Sequence, residues 1–152
     1  MITFDVSISI HKPVRQVFDY VANGEHGSAW NSAVREVSAL TPGPVQKGSR
    51  YRMVRDLPGG RVENVYEVIE YLPNHSLSIR IISGPTPFTY RYVFSEGESI
   101  TRIDLHAEID TEGLYDLLGA RARLMPRVIL TRLVKKGVKK NLETLRNLLE
   151  SS

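Results

Sequence analysis

Cysteine is absent from the chain. Disulfides, thiolate metal sites and a cysteine nucleophile are therefore excluded. No apolar run approaches the roughly 20 residues of a membrane-spanning helix. The opening residues, MITFDVSISI, lack the basic segment of a secretory signal. With neither cysteine nor signal, a cytoplasmic location is the expectation. No G-x-S-x-G and no dinucleotide fingerprint is present. The stretch Gly43-Pro44-Val45-Gln46-Lys47-Gly48 is not a phosphate loop, because no lysine follows Gly48 and a strand pattern comes next. Repeats, low-complexity tracts and linkers are also missing, so residues 1–152 read as one domain.

What is present suits a soluble globular chain. The hydrophobic fraction is 41%, and a domain of this size buries roughly 70% of its unfolded surface. That is enough for a core with a hollow in it. The net charge of +3 is mild, but the excess of cations sits in the last third.

Residues 3–10 alternate, with Phe4, Val6, Ile8 and Ile10 on one side and Thr3, Asp5, Ser7 and Ser9 on the other. This period of two predicts a half-buried strand. The period then changes. Val14, Val17, Phe18 and Val21 recur at helical spacing and predict a helix buried on one face. Pro13 suits the first helical position, where its missing N–H removes no bond. Asn23-Gly24 supplies the stop, and a second short helix is expected from about Glu25 to Trp30.

Six strand-like runs follow, at 33–40, 49–57, 61–71, 77–83, 88–95 and 100–110. Turn signals separate them, among them Pro58-Gly59-Gly60 and Gly84-Pro85-Thr86-Pro87. Short connections imply an antiparallel meander. From Leu114 onward the pattern is helical, with a break at Pro126. Val134, Val138, Leu142, Leu145 and Leu149 form one apolar stripe, with Arg132, Lys135, Lys136, Lys139 and Lys140 largely opposite. Two short helices cannot cover a sheet of this size. The expected fold is therefore α+β: a curved antiparallel sheet of about seven strands wrapped around a long C-terminal helix, with a hollow between them.

The stretches ISIHKPVRQVFDYVAN, GPVQKGSRYRMV, YEVIEYLPNHSLSIR and YRYVFSEGESITRIDLHAEI, with Trp30 and the long terminal helix, carry a likeness over nearly the whole chain. Together they resemble the START/SRPBCC superfamily, the helix-grip fold shared with birch-pollen-type allergens. Within it they resemble the bacterial polyketide cyclase/dehydrase-like group. The resemblance implies an elongated apolar cavity between sheet and terminal helix. It does not settle function, since one fold hosts many activities.

Given that cavity, strand alternation nominates its wall. The candidates are Tyr51 and Met53, then Asn64, Tyr66 and Val68, then Leu77, Ile79 and Ile81. Tyr90, Tyr92 and Phe94 follow, then Ile103, Leu105, Ala107 and Ile109. Leu118, Arg121, Met125 and Ile129 are expected to close the cavity from the helical end, with Trp30 and His26 at its doorway. The tyrosines matter most, because a core that only needs filling favours side chains without a polar tip. His11 and His75 lie beside turns. Asp104, His106 and Glu108 alternate onto one strand face as metal ligands could. The opposite face carries Ile103, Leu105, Ala107 and Ile109, so the polar face reads as the solvent side. No metal and no cofactor is expected.

The first functional reading is a module that binds a small hydrophobic or aromatic molecule: a lipid, a polyketide-like compound or an isoprenoid. Tyrosine hydroxyls and Asn64 orient it, and the short helices and the 84–87 loop gate access. The alternative is a cyclase or dehydratase in the same cavity, with Tyr66 or Tyr90 as proton donor and Arg121 polarising a carbonyl. No base with a tuning partner is visible for it. A third reading is a protein-interaction module of the toxin- or coenzyme-Q-associated kind, using the basic helix. Nucleic-acid binding and stable membrane insertion are not expected, since stacking aromatics and long apolar runs are missing. A homodimer is compatible with the sequence.

Overall fold

The computed structural model describes residues 1–57, 59–118 and 120–152, without the side chains of residues 114, 116–118 and 120. Its strands are β1 (Ile2–Ile10), β2 (Val34–Ala39), β3 (Arg50–Leu57), β4 (Gly60–Leu72), β5 (Ser76–Ser83), β6 (Phe88–Glu96) and β7 (Thr101–Ile109). They form one antiparallel sheet in the order β1-β7-β6-β5-β4-β3-β2. Between β1 and β2 come α1 (Val14–Ala22), a 3-10 turn (Gly24–His26) and α2 (Gly27–Trp30). After β7 come α3 (Thr111–Leu118), a second 3-10 turn (Ala120–Leu124) and the long α4 (Arg127–Glu150). This is the α+β architecture that the sequence patterns predict, and it is the helix-grip fold that the resemblance implies.

Two local details differ from expectation. Pro13 is the cap residue, in extended backbone (φ −60°, ψ 147°), and Val14 is the first helical residue. The Pro13 carbonyl still accepts the Val17 N–H at 3.1 Å. The second short helix is split into a 3-10 turn and one α turn, with the Asn23 side chain accepting the Glu25 N–H at 3.1 Å. Within the expected turn Pro58-Gly59-Gly60, Pro58 lies outside the described residues.

The core follows from alternation. Ile2, Phe4, Val6, Ile8 and Ile10 are buried, and β7 meets them with Ile109, Ala107, Leu105, Ile103 and Thr101. Phe18 of α1 is fully buried, edge-on to Phe94 at 5.0 Å and Tyr71 at 5.5 Å. Tyr71 faces inward because the β4–β5 register shifts between Val68 and Glu70. That bulge reverses the alternation, so Glu70 pairs with Arg91 at 3.0 Å and Tyr71 reaches the core. Further shifts at Val65/Tyr66 and Val34/Glu36 add to the curl of the sheet. Helix α4 packs along β1 and also touches α2. Leu130, Leu142, Leu145 and Leu149 are its buried anchors, with Val134 and Val138 partly buried.

On the outer face, His106 sits between Asp5 (Nδ1 to Oδ1, 2.8 Å) and Glu108 (Nε2 to Oε1, 3.4 Å). Asp104 accepts from the Ser7 hydroxyl and pairs with Arg102. The alternating Asp104, His106 and Glu108 are therefore engaged in surface pairs. The hydrogen bond to Asp5 raises the His106 pKa, against a smaller opposing effect of burial. Stability from a raised histidine is complete below its unfolded pKa of about 6.5 and fades as pH climbs through the folded value. His106→Asn should therefore lower the melting temperature more at about pH 6 than at about pH 8.5. Thermal melts with an equal loss at both would disprove the pairing.

Candidate functional site

Two adjoining cavities, of about 320 and 60 Å³, lie between the sheet and the helices. Asn31, Val34, Met53, Phe88 and Tyr90 belong to the walls of both. The larger is bounded by α4 through Leu133, Val134, Gly137 and Val138. The smaller runs inward past Trp30 to Tyr66 and Tyr92. The described lining is mostly apolar, as small-ligand sites are.

Arg55 is the exception. On β3, Tyr51, Met53, Arg55 and Leu57 alternate onto the buried face. The same register that buries the hydrophobic residues buries this arginine, which is 7% exposed and lines the larger cavity. Its hydrogen-bond partners are all neutral. Nε and Nη2 donate to Asn64 Oδ1 at 3.0 and 2.7 Å. Nη2 also donates to Thr86 Oγ1 and, at 3.3 Å, to the Pro85 carbonyl. The guanidinium carbon lies 5.5 Å from the Phe88 ring centroid. Burial holds its pKa below the ordinary value, and the charge influence opposing this comes from Tyr90, not from a carboxylate.

Asn64 completes the cluster. Its Nδ2 donates to the Pro85 carbonyl at 2.6 Å and the Ser83 carbonyl at 3.3 Å. Both ends of the amide are thus used to hold Arg55 and the β5–β6 loop. Thr86, in that loop, has φ 58°, a strained left-handed conformation for a β-branched residue. From the other side α3 presses on it. A Cβ on Gly113 would fall 2.7 Å from Thr86 Cα, so only glycine allows the approach.

Burial keeps the inward tyrosines protonated. Burial pushes Tyr90 up to about 12, with Arg55 pulling the other way. Burial raises Tyr66 and Tyr92 as well. All three keep their protons near neutral pH and cannot serve there as bases. Tyr51 stacks on Tyr66, centroids 5.1 Å apart. The 3-10 turn closes directly over the pair, because a Cβ on Gly24 would collide with the Tyr66 hydroxyl.

Of the expected wall residues, Trp30, Met53, Tyr66, Val68, Leu77, Ile79, Tyr90, Tyr92 and Ile109 line the cavities. Tyr51, Asn64, Ile81 and Leu105 are buried without lining them. Met125 packs against the core, outside both linings. Ile129 and Arg121 are exposed and do not close the cavity. Pro126 restarts the helix so that Leu130, Val134 and Val138 take the inward stripe. The side chain of Leu118 lies outside the described residues. His26 stacks on Tyr20 at 4.1 Å, with Nδ1 3.0 Å from the Tyr20 carbonyl oxygen, and lines neither cavity.

Sequence reasoning misses Arg55, Phe88, Gly137 and Asn141. Arg55 was signalled by the alternation that nominates Tyr51 and Met53, carried two residues further. The two α4 residues carry no local signal. Asn141 accepts the Ser32 N–H at 3.2 Å and ties α4 to the loop before β2.

The cluster predicts an order of stabilities. Arg55→Met leaves a neutral acceptor with fewer donors, at a cost of about 1–3 kcal/mol. Asn64→Ala strands a buried charge and should cost about 3 kcal/mol or more. Urea unfolding of the two variants checks this, and the reverse order would refute the assigned roles.

Solved structures share the fold. A protein from Thermus thermophilus has a TM-score of 0.76 at 18% identity, over 99% of this chain and 100% of that one. An aromatase/cyclase, Zhui, from Streptomyces sp. R1128 has a TM-score of 0.74 at 15% identity, over 98% and 93%. A START superfamily protein from Mycobacterium smegmatis has a TM-score of 0.64 at 15% identity, over 98% and 94%. At such identities the likeness establishes the fold alone. Comparison with curated proteins finds no match. A family model described as polyketide cyclase/dehydrase and lipid transport matches residues 1–150. With every residue of the sheet and its gripping helix inside that match, the chain belongs to the polyketide cyclase/dehydrase and lipid transport family.

Proposed function

We propose that the chain binds a small amphipathic molecule, an apolar or aromatic body bearing one carboxylate, in the cavity between sheet and α4. The observation that carries this reading is Arg55, a buried cation in an apolar wall whose hydrogen-bond partners are all neutral. Leaving a buried charge without a counter-charge is costly. A ligand carboxylate would supply the missing charge in a strong, charge-assisted bond. Tyr90, protonated and beside Arg55, offers a second donor. The aromatic and aliphatic wall receives the body, at about 25 cal/mol per Å² of apolar area removed from water. The cavity of about 320 Å³ is near the lower end for small-ligand sites, which suits a compact ligand. The family description, naming both polyketide chemistry and lipid transport, supports the same class.

Cyclisation or dehydration in this cavity is the second reading, favoured by Arg55 lying beside a protonated Tyr90. The guanidinium can polarise a carbonyl while the phenol supplies a proton. Arg55 here takes the role expected of the exposed Arg121. The described cavity walls hold no carboxylate or imidazole to act as base, so binding stands first.

A matched pair of ligands tests the proposal: a carboxylic acid and its methyl ester, each displacing a fluorescent apolar dye. The acid should bind at least about tenfold more tightly to the native chain, and Arg55→Met should bind both equally. No binding, or equal binding by the native chain, would remove the proposal. Gly137 gives an independent check. Nothing lies within 4 Å of a Cβ built there, and mid-helix glycine costs about 1 kcal/mol relative to alanine. Gly137→Leu should narrow the cavity and weaken dye binding at least about tenfold while the melting temperature holds or rises. Unchanged binding in that variant would place the ligand elsewhere.

A further inference from the structure

Residues 117–142 contain eight lysines and arginines and no aspartate or glutamate. The other 126 residues carry 12 basic and 17 acidic side chains. The net positive charge of the chain therefore comes from this one segment, the second 3-10 turn and the first two-thirds of α4. The segment also carries exposed apolar side chains. Leu124 is 88% exposed, Val128 63%, Ile129 51% and Leu133 46%.

The two features interleave. Ile129 and Leu133 are four residues apart, one helical turn, on the solvent side of α4. Lys136 and Lys140 continue that row, and Arg132 flanks it. Arg123 is engaged with Glu112 at 3.3 Å, and Lys139 with the Ser7 carbonyl at 3.3 Å. Arg121, Arg132, Lys136 and Lys140 form no ion pair among the described residues and stand in solvent. Leu133 also lines the larger cavity, so the patch runs up to the cavity mouth.

Each kind of partner would use this face differently. A nucleic acid would engage the cations and leave four exposed apolar side chains unexplained. An anionic bilayer uses both sets. The apolar side chains sink to the boundary between headgroups and acyl chains, while lysines and arginines meet the lipid phosphates. No helix among the described residues is long and apolar enough to cross a membrane, so the contact is peripheral.

We propose that the face from Leu124 to Lys140 docks on an anionic membrane surface and holds the mouth of the larger cavity against the bilayer. The docking follows from exposure and charge, and stands whether or not the cavity takes the ligand class proposed above.

The test is co-sedimentation of the full chain with phosphatidylcholine vesicles, with and without about 30% phosphatidylserine. Only the anionic vesicles should capture it, and about 0.5 M salt should release it. Arg132→Glu with Lys136→Glu should weaken capture at least about tenfold. Leu124→Ser with Ile129→Ser should do the same. These four side chains are exposed and line neither cavity, so melting temperature and acid/ester dye displacement should hold in both variants. Because the chain lacks cysteine, Ile129→Cys can carry an environment-sensitive fluorophore. Its emission should shift to the blue on anionic vesicles, and the same label at Glu98→Cys in the β6–β7 turn should not shift. No capture by anionic vesicles overturns the proposal. So does capture unaffected by the Leu124 and Ile129 changes. Binding of an RNA oligonucleotide without vesicle capture would assign the face to nucleic acid instead.

Discussion

One long helix, helped only by short ones, must cover the apolar face of seven strands. Strands spaced about 4.8 Å apart make a sheet roughly 29 Å across, whereas a helix is only about 10 Å wide. A flat sheet would leave most of that face wet. The register shifts on β2 and β4 let the sheet curl towards α4. Closure is uneven. Leu142, Leu145 and Leu149 are buried at one end of α4, whereas around Gly137 the helix offers no side chain to fill the space. The hollow is what remains when one narrow element covers a wide, curved one.

Beside that hollow, one polar cluster draws on three separate parts of the chain. β3 supplies Arg55, β4 supplies Asn64, and the β5–β6 loop supplies Pro85 and Thr86. Thr86 holds a strained left-handed conformation, and α3 passes close against it at Gly113. An arginine directed to water needs none of this support. The arrangement fixes a cationic donor against Phe88 and beside Tyr90, in the wall of the larger cavity. The outer side of the same helix has the opposite character, cations interleaved with exposed leucine, isoleucine and valine.

Much of this was legible in local pattern. The switch from alternation at Ile8 and Ile10 to helical spacing at Val14, Val17 and Phe18 marks the end of β1 and the start of α1. Turn residues delimit each strand to within one or two positions. The inward faces of β1, β3 and β7 follow from simple alternation. Tyr71 was not legible, because a single bulge reverses the phase of β4 between Val68 and Glu70. Ile129 was misplaced for a related reason. A helical stripe has a definite phase only once a packed anchor is known, and that anchor is Leu130.

The sequence by itself determined the order and type of the elements, because period, breakers and turn residues act over a few positions. It also determined that Arg55 shares a face with Tyr51 and Met53, since alternation alone requires it. Tertiary structure decided what that face meets. Arg55, Asn64, Thr86, Tyr90, Gly113 and Gly137 come together only through strand register, the curl of the sheet and the seating of α4. These depend on contacts between residues tens of positions apart, which no local period encodes. Packing is what brings a buried arginine, a strained threonine and a mid-helix glycine to the wall of one cavity.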